Sequence, residues 1–79
     1  MEVEVRLFAT FRDHLPPGST NFSFKKSLQK ETTVQQIIDE LKLPVNMPKI
    51  IIVNGHHSDP DYRVSDGDVL SIFPPVAGG

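Results

Sequence analysis

The residues most suited to chemistry stand at the end of the chain, where residues 73–79 read FPPVAGG. Pro74 and Pro75 favour an extended polyproline conformation, which lowers the entropy lost when such a segment binds. Gly78 and Gly79 carry no Cβ, so this end can pass a narrow channel and approach another backbone closely. The six residues 74–79 reach at most about 20 Å, at roughly 3.3–3.6 Å each. The segment is therefore either a frayed terminus or a working end whose carboxylate reacts.

Other reactive side chains are few. The chain has no cysteine, which excludes disulfides and thiol chemistry of its own. Of the three histidines, His56 and His57 follow an Asn-Gly pair, and we interpret them as solvated loop residues because no Asp, Glu or Cys cluster supports a metal. The four aspartates between residues 59 and 68 lack the spacing of a calcium loop and are interpreted as turn formers. The sequence predicts no metal site.

Length and composition narrow the class of protein. A chain of 79 residues forms one domain, close to the lower limit for a self-sufficient core. It has no apolar run long enough to span a membrane, and its net charge of −2 without a basic cluster disfavours nucleic acid as a partner. A strand pattern starts at residue 2, so we expect no signal peptide. These features predict a cytoplasmic binding or carrier domain rather than a free-standing enzyme.

Two strands are predicted before any long helix. Residues 2–8 alternate apolar and charged side chains, the pattern of a half-buried strand, but Phe8 places a ring on the charged face. A short helical turn is expected over 11–15, before a proline-rich loop. Residues 21–28 alternate again, with both of their phenylalanines on one side, and are predicted to pair antiparallel with the first strand.

The period then changes to that of a helix. The apolar stripe at i, i+3, i+4 and i+7 consists of Val34, Ile37, Ile38 and Leu41. Thr32 or Thr33 is the expected N-cap, with Gln35 or Gln36 completing a capping box. Pro44 is expected to end the helix, because its ring disfavours the α conformation at the preceding residue. About ten residues at 1.5 Å each give a helix of roughly 15 Å, enough to cross a small sheet once.

The second half of the chain returns to strands. Residues 49–55 form a short apolar strand ending in an Asn-Gly turn, and a minimal strand is expected near 62–64. A tight turn at 66–68 leads into a last strand over 69–73. A single helix must lay its stripe on one face of the sheet, so the order of elements predicts an α+β domain of two layers.

Phe8 and Phe73 end the first and last strands on the face away from the core. If those strands are adjacent and parallel, the two rings form one exposed apolar patch beside the tail, which would favour a contact with a partner. The alternative is that the short helical turn covers them.

Four motifs carry a resemblance to a known family. They are V-R-L-F-A-x-F-R in the first strand and the turn that follows it, Thr-Val at the helix start, V-N-G after the third strand, and D-G-D-x-L-x-I-F-P-P-V-A-G-G at the close. With them the chain resembles the MoaD/ThiS family of ubiquitin-like sulfur carriers, and the Pro-Pro pair resembles the molybdopterin-synthase small subunit most. The resemblance implies a β-grasp domain over 1–73, with a mixed sheet of four or five strands and one main helix on one face. Residues 74–79 would be a flexible, extended tail.

The resemblance also implies chemistry performed on the chain rather than by it. A ubiquitin-activating-type adenylyltransferase would use ATP to adenylate the carboxylate of Gly79, which Gly78 precedes. A sulfur donor would then displace AMP and leave a thiocarboxylate. The tail would deliver this sulfur to the molybdopterin synthase large subunit or another sulfur-accepting enzyme. The chain would be the small subunit of such a complex, with no bound cofactor and no catalytic side chains of its own.

Partner binding is expected at seven residues that the resemblance and the tail together select. These are Phe8, Arg12, Phe73, Pro74, Pro75, Val76 and Ala77. Alternatives remain open at this point: another sulfur-transfer pathway such as that of thiamine or the tungsten cofactor, a ubiquitin-like modifier joined to lysines through Gly79, or a non-covalent binding module.

Overall fold

The computed structural model describes residues 1–44 and 46–75. They form a five-stranded mixed sheet with one α-helix, which confirms the predicted α+β class. The elements are β1 (Glu2–Leu7), a 3-10 helix (Ala9–His14), β2 (Ser23–Ser27), α1 (Val34–Glu40), β3 (Ile50–Val53), β4 (His56–His57) and β5 (Val69–Phe73). Their order across the sheet is β2-β1-β5-β3-β4.

β1 lies between β2 and β5, the central strand of the sheet. It pairs antiparallel with β2, as predicted, with Val5 opposite Phe24. On its other side it pairs in parallel with β5, so that Leu7 lies beside Ile72. The C-terminal ends of β1 and β5 therefore lie at the same end of the sheet. The predicted short helical turn is also present, as the 3-10 helix that follows β1 directly.

One face of the sheet and the stripe of α1 enclose the core. The alternation of β1 and β5 sends Val3, Val5, Leu7, Leu70 and Ile72 to that face, and all of them are buried. The helix contributes three further buried residues of its predicted stripe, which are Val34, Ile37 and Ile38. The domain is thus two layers deep, with the helix on one face only.

The start of α1 follows the sequence prediction. Thr33 is the N-cap, and its side chain accepts a hydrogen bond from Gln36 N at 3.2 Å. Gln36 Oε1 accepts in return from Thr33 N at 2.8 Å, which completes the capping box.

The end of α1 differs from the prediction. The helix stops at Glu40, well before Pro44, and has seven residues. Lys42 adopts a left-handed φ of 58° and donates to Asp39 O at 3.1 Å, while Leu43 N donates to Ile38 O at 3.4 Å. This is the Schellman pattern of helix termination, with lysine where glycine is usual. It turns the chain so that Leu43 is buried, and the proline is not needed to end the helix.

The fourth strand also differs from the prediction. Asn54 and Gly55 have φ values of 51° and 85°, as in a type I′ turn, and return the chain onto β3. The short strand is therefore β4, and the strand expected near 62–64 is reduced to one isolated bridge between Arg63 and Thr33. A two-residue turn makes the residues directly after it pair with the strand before it. Residues 58–64 contain aspartates and a proline, which favour turns over a strand.

Candidate functional site

The end of the sheet from which the tail departs carries a pair of aromatic rings. Because β1 and β5 are parallel neighbours, Phe8 and Phe73 come side by side, with ring centroids 4.2 Å apart and planes inclined by 7°. The backbone N–H of Phe8 also donates to Ile72 O at 3.3 Å. Both rings are half-buried, so the predicted patch exists but is less exposed than the sequence suggested. The stack fixes the point at which the chain leaves the sheet.

The first residues of the tail leave directly beside this stack. Pro74 is half-buried and Pro75 is exposed. Val76, Ala77, Gly78 and Gly79 lie outside the described residues, and the roles assigned to them from the sequence stay predictions. The same holds for the division into a domain over 1–73 and a flexible tail over 74–79.

The stacked rings belong to a larger surface, the sheet face opposite α1, which we call the open face. In the register of the sheet Phe73 lies beside Ile50, and Ser71 lies beside Ile52. The open face also includes further residues of β1, β2 and β5, namely Glu4, Arg6, Ser23, Lys25 and Val69. None of these residues is buried. The open face therefore presents an apolar strip at the tail end and charged side chains farther along β1 and β2.

Arg12 lies on the 3-10 helix that begins after Phe8 and is exposed. Its Nε donates to Ala9 O at 3.1 Å, and its guanidinium carbon is 4.6 Å from the centroid of the Phe22 ring. The sequence pattern placed Phe22 on the same side of β2 as Phe24, and this is wrong. Phe22 precedes the strand, has a left-handed φ of 63° and is 48% exposed. No local sequence signal announces a positive φ at phenylalanine, so the pattern could not have found this contact.

A polar cluster lies at the opposite end of β5, where the sequence predicts only a turn. Asp68 is 6% exposed, the one buried charged residue among those described. Its Oδ1 accepts from Asn54 Nδ2 at 2.9 Å, and its Oδ2 accepts from Tyr62 OH at 2.9 Å and Ser65 N at 2.7 Å. Asn54 Oδ1 in turn accepts from Val69 N at 2.8 Å. The cluster fastens the β3–β4 turn and the loop before β5 to the start of that strand.

These contacts shift two pKa values. Burial raises the pKa of Asp68, but the hydrogen bonds from Ser65 N, Asn54 and Tyr62 stabilise the carboxylate and together leave its pKa below the ordinary value. The pKa of Tyr62 is raised, chiefly because its hydroxyl donates to Asp68 and would lose that bond on ionisation. Asp68 is therefore ionised in the folded protein at neutral pH, in a structural role.

The histidine pair is part of the sheet and not of a loop, which corrects the sequence interpretation. His56 and His57 form β4 and are both exposed. Since neighbouring residues of a strand point to opposite faces, the two rings do not converge on one point. In residues 1–44 and 46–75, no three His, Asp or Glu side chains come together in a way that would hold a metal ion. Within the same residues no helix has the length and apolarity needed to cross a membrane.

A mixed five-stranded sheet with a single α-helix across one face defines a ubiquitin-like domain of the β-grasp fold. The chain belongs to the ThiS family, whose family model matches residues 5–79.

Three relatives illustrate the range of that family. The chain is 34% identical, over an alignment of 96 positions, to small archaeal modifier protein 3 of Haloferax volcanii, and the alignment covers all of both chains. It is 28% identical to a putative molybdopterin converting factor, subunit 1, from Pyrococcus furiosus, with a TM-score of 0.71 over 95% of this chain and 98% of that one. It is 29% identical to a chain of the Helicobacter pylori complex of molybdopterin-converting factor subunits 1 and 2, with a TM-score of 0.62 over all of both chains. The protein is accordingly a sulfur carrier or ubiquitin-like modifier of the ThiS/MoaD type.

Proposed function

We propose that the protein is a sulfur carrier whose Gly79 carboxylate is converted to a thiocarboxylate and donates sulfur in molybdopterin biosynthesis. The observation that supports this most directly is the Phe8–Phe73 stack, from which Pro74 and Pro75 leave beside an unburied apolar strip. A carrier needs a docking surface next to a thin lead, and the two are adjacent here. The likeness to molybdopterin converting factor subunit 1 supports the choice of pathway.

The chemistry begins with two displacements, the first at the α-phosphorus of ATP and the second at the Gly79 carbonyl carbon. A carboxylate is a poor electrophile, so an activating enzyme joins it to the α-phosphate of ATP and releases pyrophosphate. A persulfide sulfur of the donor then attacks the carbonyl carbon of the acyl-adenylate and AMP leaves, which gives an acyl disulfide. A second thiol attacks the donor's sulfur, becomes oxidised to a disulfide with it, and releases the thiocarboxylate on Gly79. The chain itself supplies the reacting carboxylate and the surfaces that hold it in a partner's active site.

Three partners take part in this proposal. They are a ubiquitin-activating-type adenylyltransferase that consumes ATP, a sulfur donor, and a sulfur-accepting enzyme. The Helicobacter pylori relative is found in complex with subunit 2 of its converting factor, which supports a molybdopterin synthase large subunit as the acceptor. We place the reactions in the cytoplasm, and the chain needs no cofactor of its own.

The second candidate is a ubiquitin-like protein modifier, favoured by the likeness to a small archaeal modifier protein. The first step is the same, since an acyl-adenylate forms at Gly79. A lysine amine on a target protein, rather than a sulfur donor, finally attacks the activated carbonyl carbon of Gly79, displaces AMP and forms an isopeptide bond.

Intact-mass spectrometry distinguishes the two candidates. The purified chain is incubated with its activating enzyme, ATP and a sulfur source, and the same chain is separately tagged and isolated from its own cells. Replacement of one oxygen by sulfur adds about 16 Da to the carrier, whereas a modifier gives a ladder of heavier species with Gly79 linked to lysine. A variant lacking Gly78 and Gly79 is the control and should do neither. Unchanged cofactor production with that variant would overturn the carrier, and conjugates formed by that variant would overturn the modifier.

A further inference from the structure

The 3-10 helix and the loop before β2 bring together a second surface, separate from the open face. A concavity there is lined by Ala9, Thr10, Arg12, Asp13, Leu15 and Phe22. We propose that Arg12 and Phe22, which we call the Arg12–Phe22 surface, bind an acidic segment of the activating enzyme, a carboxylate flanked by an apolar side chain. This inference rests on the proposed activation of Gly79 and names a partner contact for it.

The guanidinium of Arg12 is held in place before any partner arrives. Its Nε donates to Ala9 O at 3.1 Å, and its guanidinium carbon lies over the Phe22 ring, 4.6 Å from the ring centroid. Among the described residues, no acceptor lies within hydrogen-bond distance of its two terminal nitrogens, and no carboxylate forms an ion pair with it. A pair of oriented N–H donors matches a carboxylate in two-point fashion, and less entropy is lost because the side chain is already ordered.

Phe22 has a backbone conformation that bulky residues rarely adopt, and its side chain is exposed. Five non-glycine residues of the described chain have a left-handed φ, and three of them, Ala9, Asn21 and Phe22, border this surface. A bulky residue with φ above zero is an outlier that the surrounding structure must enforce. Here Leu7 N donates to Phe22 O at 3.0 Å and fixes the residue to the end of β1. The result is a phenylalanine that is 48% exposed beside a charged group.

The chemistry of the occupant follows from charge and apolarity together. A single arginine with Asp13 beside it does not suit a nucleic-acid backbone, which requires several cations, and the chain carries a net charge of −2. One carboxylate satisfies the free donors of Arg12, and a neighbouring apolar side chain covers Phe22 and Leu15. An acidic stretch of protein supplies both.

The position of the surface selects the activating enzyme as the partner. Arg12 lies four residues beyond Phe8, on the short helix that begins where β1 ends, and β5 ends at the same edge before Pro74. A partner that takes in the tail therefore comes close to Arg12. Activation precedes both sulfur transfer and protein conjugation, so the activating enzyme is the partner that either candidate function needs.

The test measures adenylation by the activating enzyme of the same organism, with the full-length chain as substrate. Arg12→Ala and Phe22→Ala should each raise the chain concentration for half-maximal rate about tenfold, the size expected when one charge-assisted contact is lost, with the maximal rate unchanged. The Arg12→Ala effect should shrink as salt is raised. Arg12→Lys keeps the charge but loses the planar fork, and should lie between wild type and Arg12→Ala. The matched control is Arg63→Ala, since Arg63 is exposed and paired with Glu31 elsewhere on the surface.

Direct binding to the same enzyme, measured by calorimetry, separates this inference from the proposed function. Adenylation with equal half-maximal concentrations for wild type, Arg12→Ala, Phe22→Ala and Arg63→Ala overturns the Arg12–Phe22 surface and leaves the proposed function standing. Arg12-dependent binding without any adenylation of Gly79 supports the surface and overturns the proposed function. If neither binding nor adenylation is observed, both the Arg12–Phe22 surface and the proposed function are overturned. Phe22→Leu, with a check by thermal unfolding, replaces Phe22→Ala if the smaller side chain disturbs the loop.

Discussion

At the level of single residues, Asp68 stabilises the fold through hydrogen bonds that the turn motif around it does not predict. Its carboxylate accepts three hydrogen bonds from three separate positions, Asn54, Tyr62 and Ser65. Two of these donors lie outside the turn that Asp68 closes, since Asn54 is in the β3–β4 turn and Tyr62 is in the loop between β4 and β5. An aspartate that serves only the turn would not hold β3 and β5 in register.

Replacing Asp68 by asparagine should destabilise the domain by about 1–3 kcal/mol at neutral pH. The amide nitrogen of asparagine would face at least one of the donors that the carboxylate now satisfies, whichever way it is turned. Urea unfolding followed by circular dichroism measures the loss. Asp61→Asn is the matched control, because Asp61 is exposed and its side chain makes no hydrogen bond in the described part of the chain. Equal stability of the two variants would contradict the role assigned to Asp68.

The same residue predicts a pH dependence with a definite sign. The folded pKa of Asp68 is lowered relative to the unfolded chain, so its contribution is fully present above the unfolded pKa of about 4. It is lost as the pH falls through the still lower folded pKa. Wild type and Asp68→Asn should therefore differ most near neutrality and converge on acidification, as measured by urea unfolding from pH 7 to pH 2. A difference that stays constant over this range would show that the ionised carboxylate is not the stabilising form.

At the level of elements, the two ends of α1 show what a local sequence can and cannot predict. The N-terminus is encoded by residue types, since threonine and glutamine form the capping box that their spacing announces. The C-terminus is encoded by conformation, because Lys42 takes the left-handed position that glycine usually occupies. Burial of Leu43 rewards that turn, and burial is a property of the packed domain. Proline, the visible stop signal, lies beyond the actual end.

Lys42→Gly should stabilise the domain by roughly 0.5–1 kcal/mol, since glycine adopts a φ of 58° without the strain that a Cβ imposes. Thermal unfolding is the measurement. Lys42→Ala removes the same charge and most of the side chain while keeping the Cβ, and should give no gain. If alanine stabilises as much as glycine, the charge and not the backbone is responsible.

The candidate site follows the same division between pattern and packing. Phe8 and Phe73 could be placed side by side from strand alternation and one assumption of parallel pairing, which the structure confirms. Phe22 could not be placed, because its alternation with Phe24 ends where its φ becomes positive. The histidine pair differs from the prediction for a related reason, because the Asn-Gly turn starts a strand at the next residue, and the types of the residues that follow do not indicate a strand. Positions that depend on residue type could therefore be predicted from the sequence, and positions that depend on an unusual backbone conformation could not.

At the level of the whole molecule, the two faces of the sheet have different duties, and neighbouring strands offer a matched pair to test this. Ile72 of β5 is fully buried under α1, whereas Ile52 of β3 is half-buried on the open face. Ile72→Ala should destabilise the domain by about 2–5 kcal/mol, a large part of the total stability of about 5–15 kcal/mol that small domains have. Ile52→Ala removes the same atoms and should lose less than about 1 kcal/mol.

Ile72→Ala should lose more stability than Ile52→Ala, but Ile52→Ala should lose more affinity for the partner. If the open face docks partners, Ile52→Ala weakens capture by the activating enzyme although the domain remains folded, because a partner buries that side chain only in the complex. Ile72→Ala, assayed at a temperature where it is still folded, should bind as wild type does. Calorimetry with both variants and urea unfolding of both give the four numbers needed. Equal losses of stability would mean that the open face is already covered in the free protein, and unchanged binding by Ile52→Ala would remove the apolar strip from the docking surface.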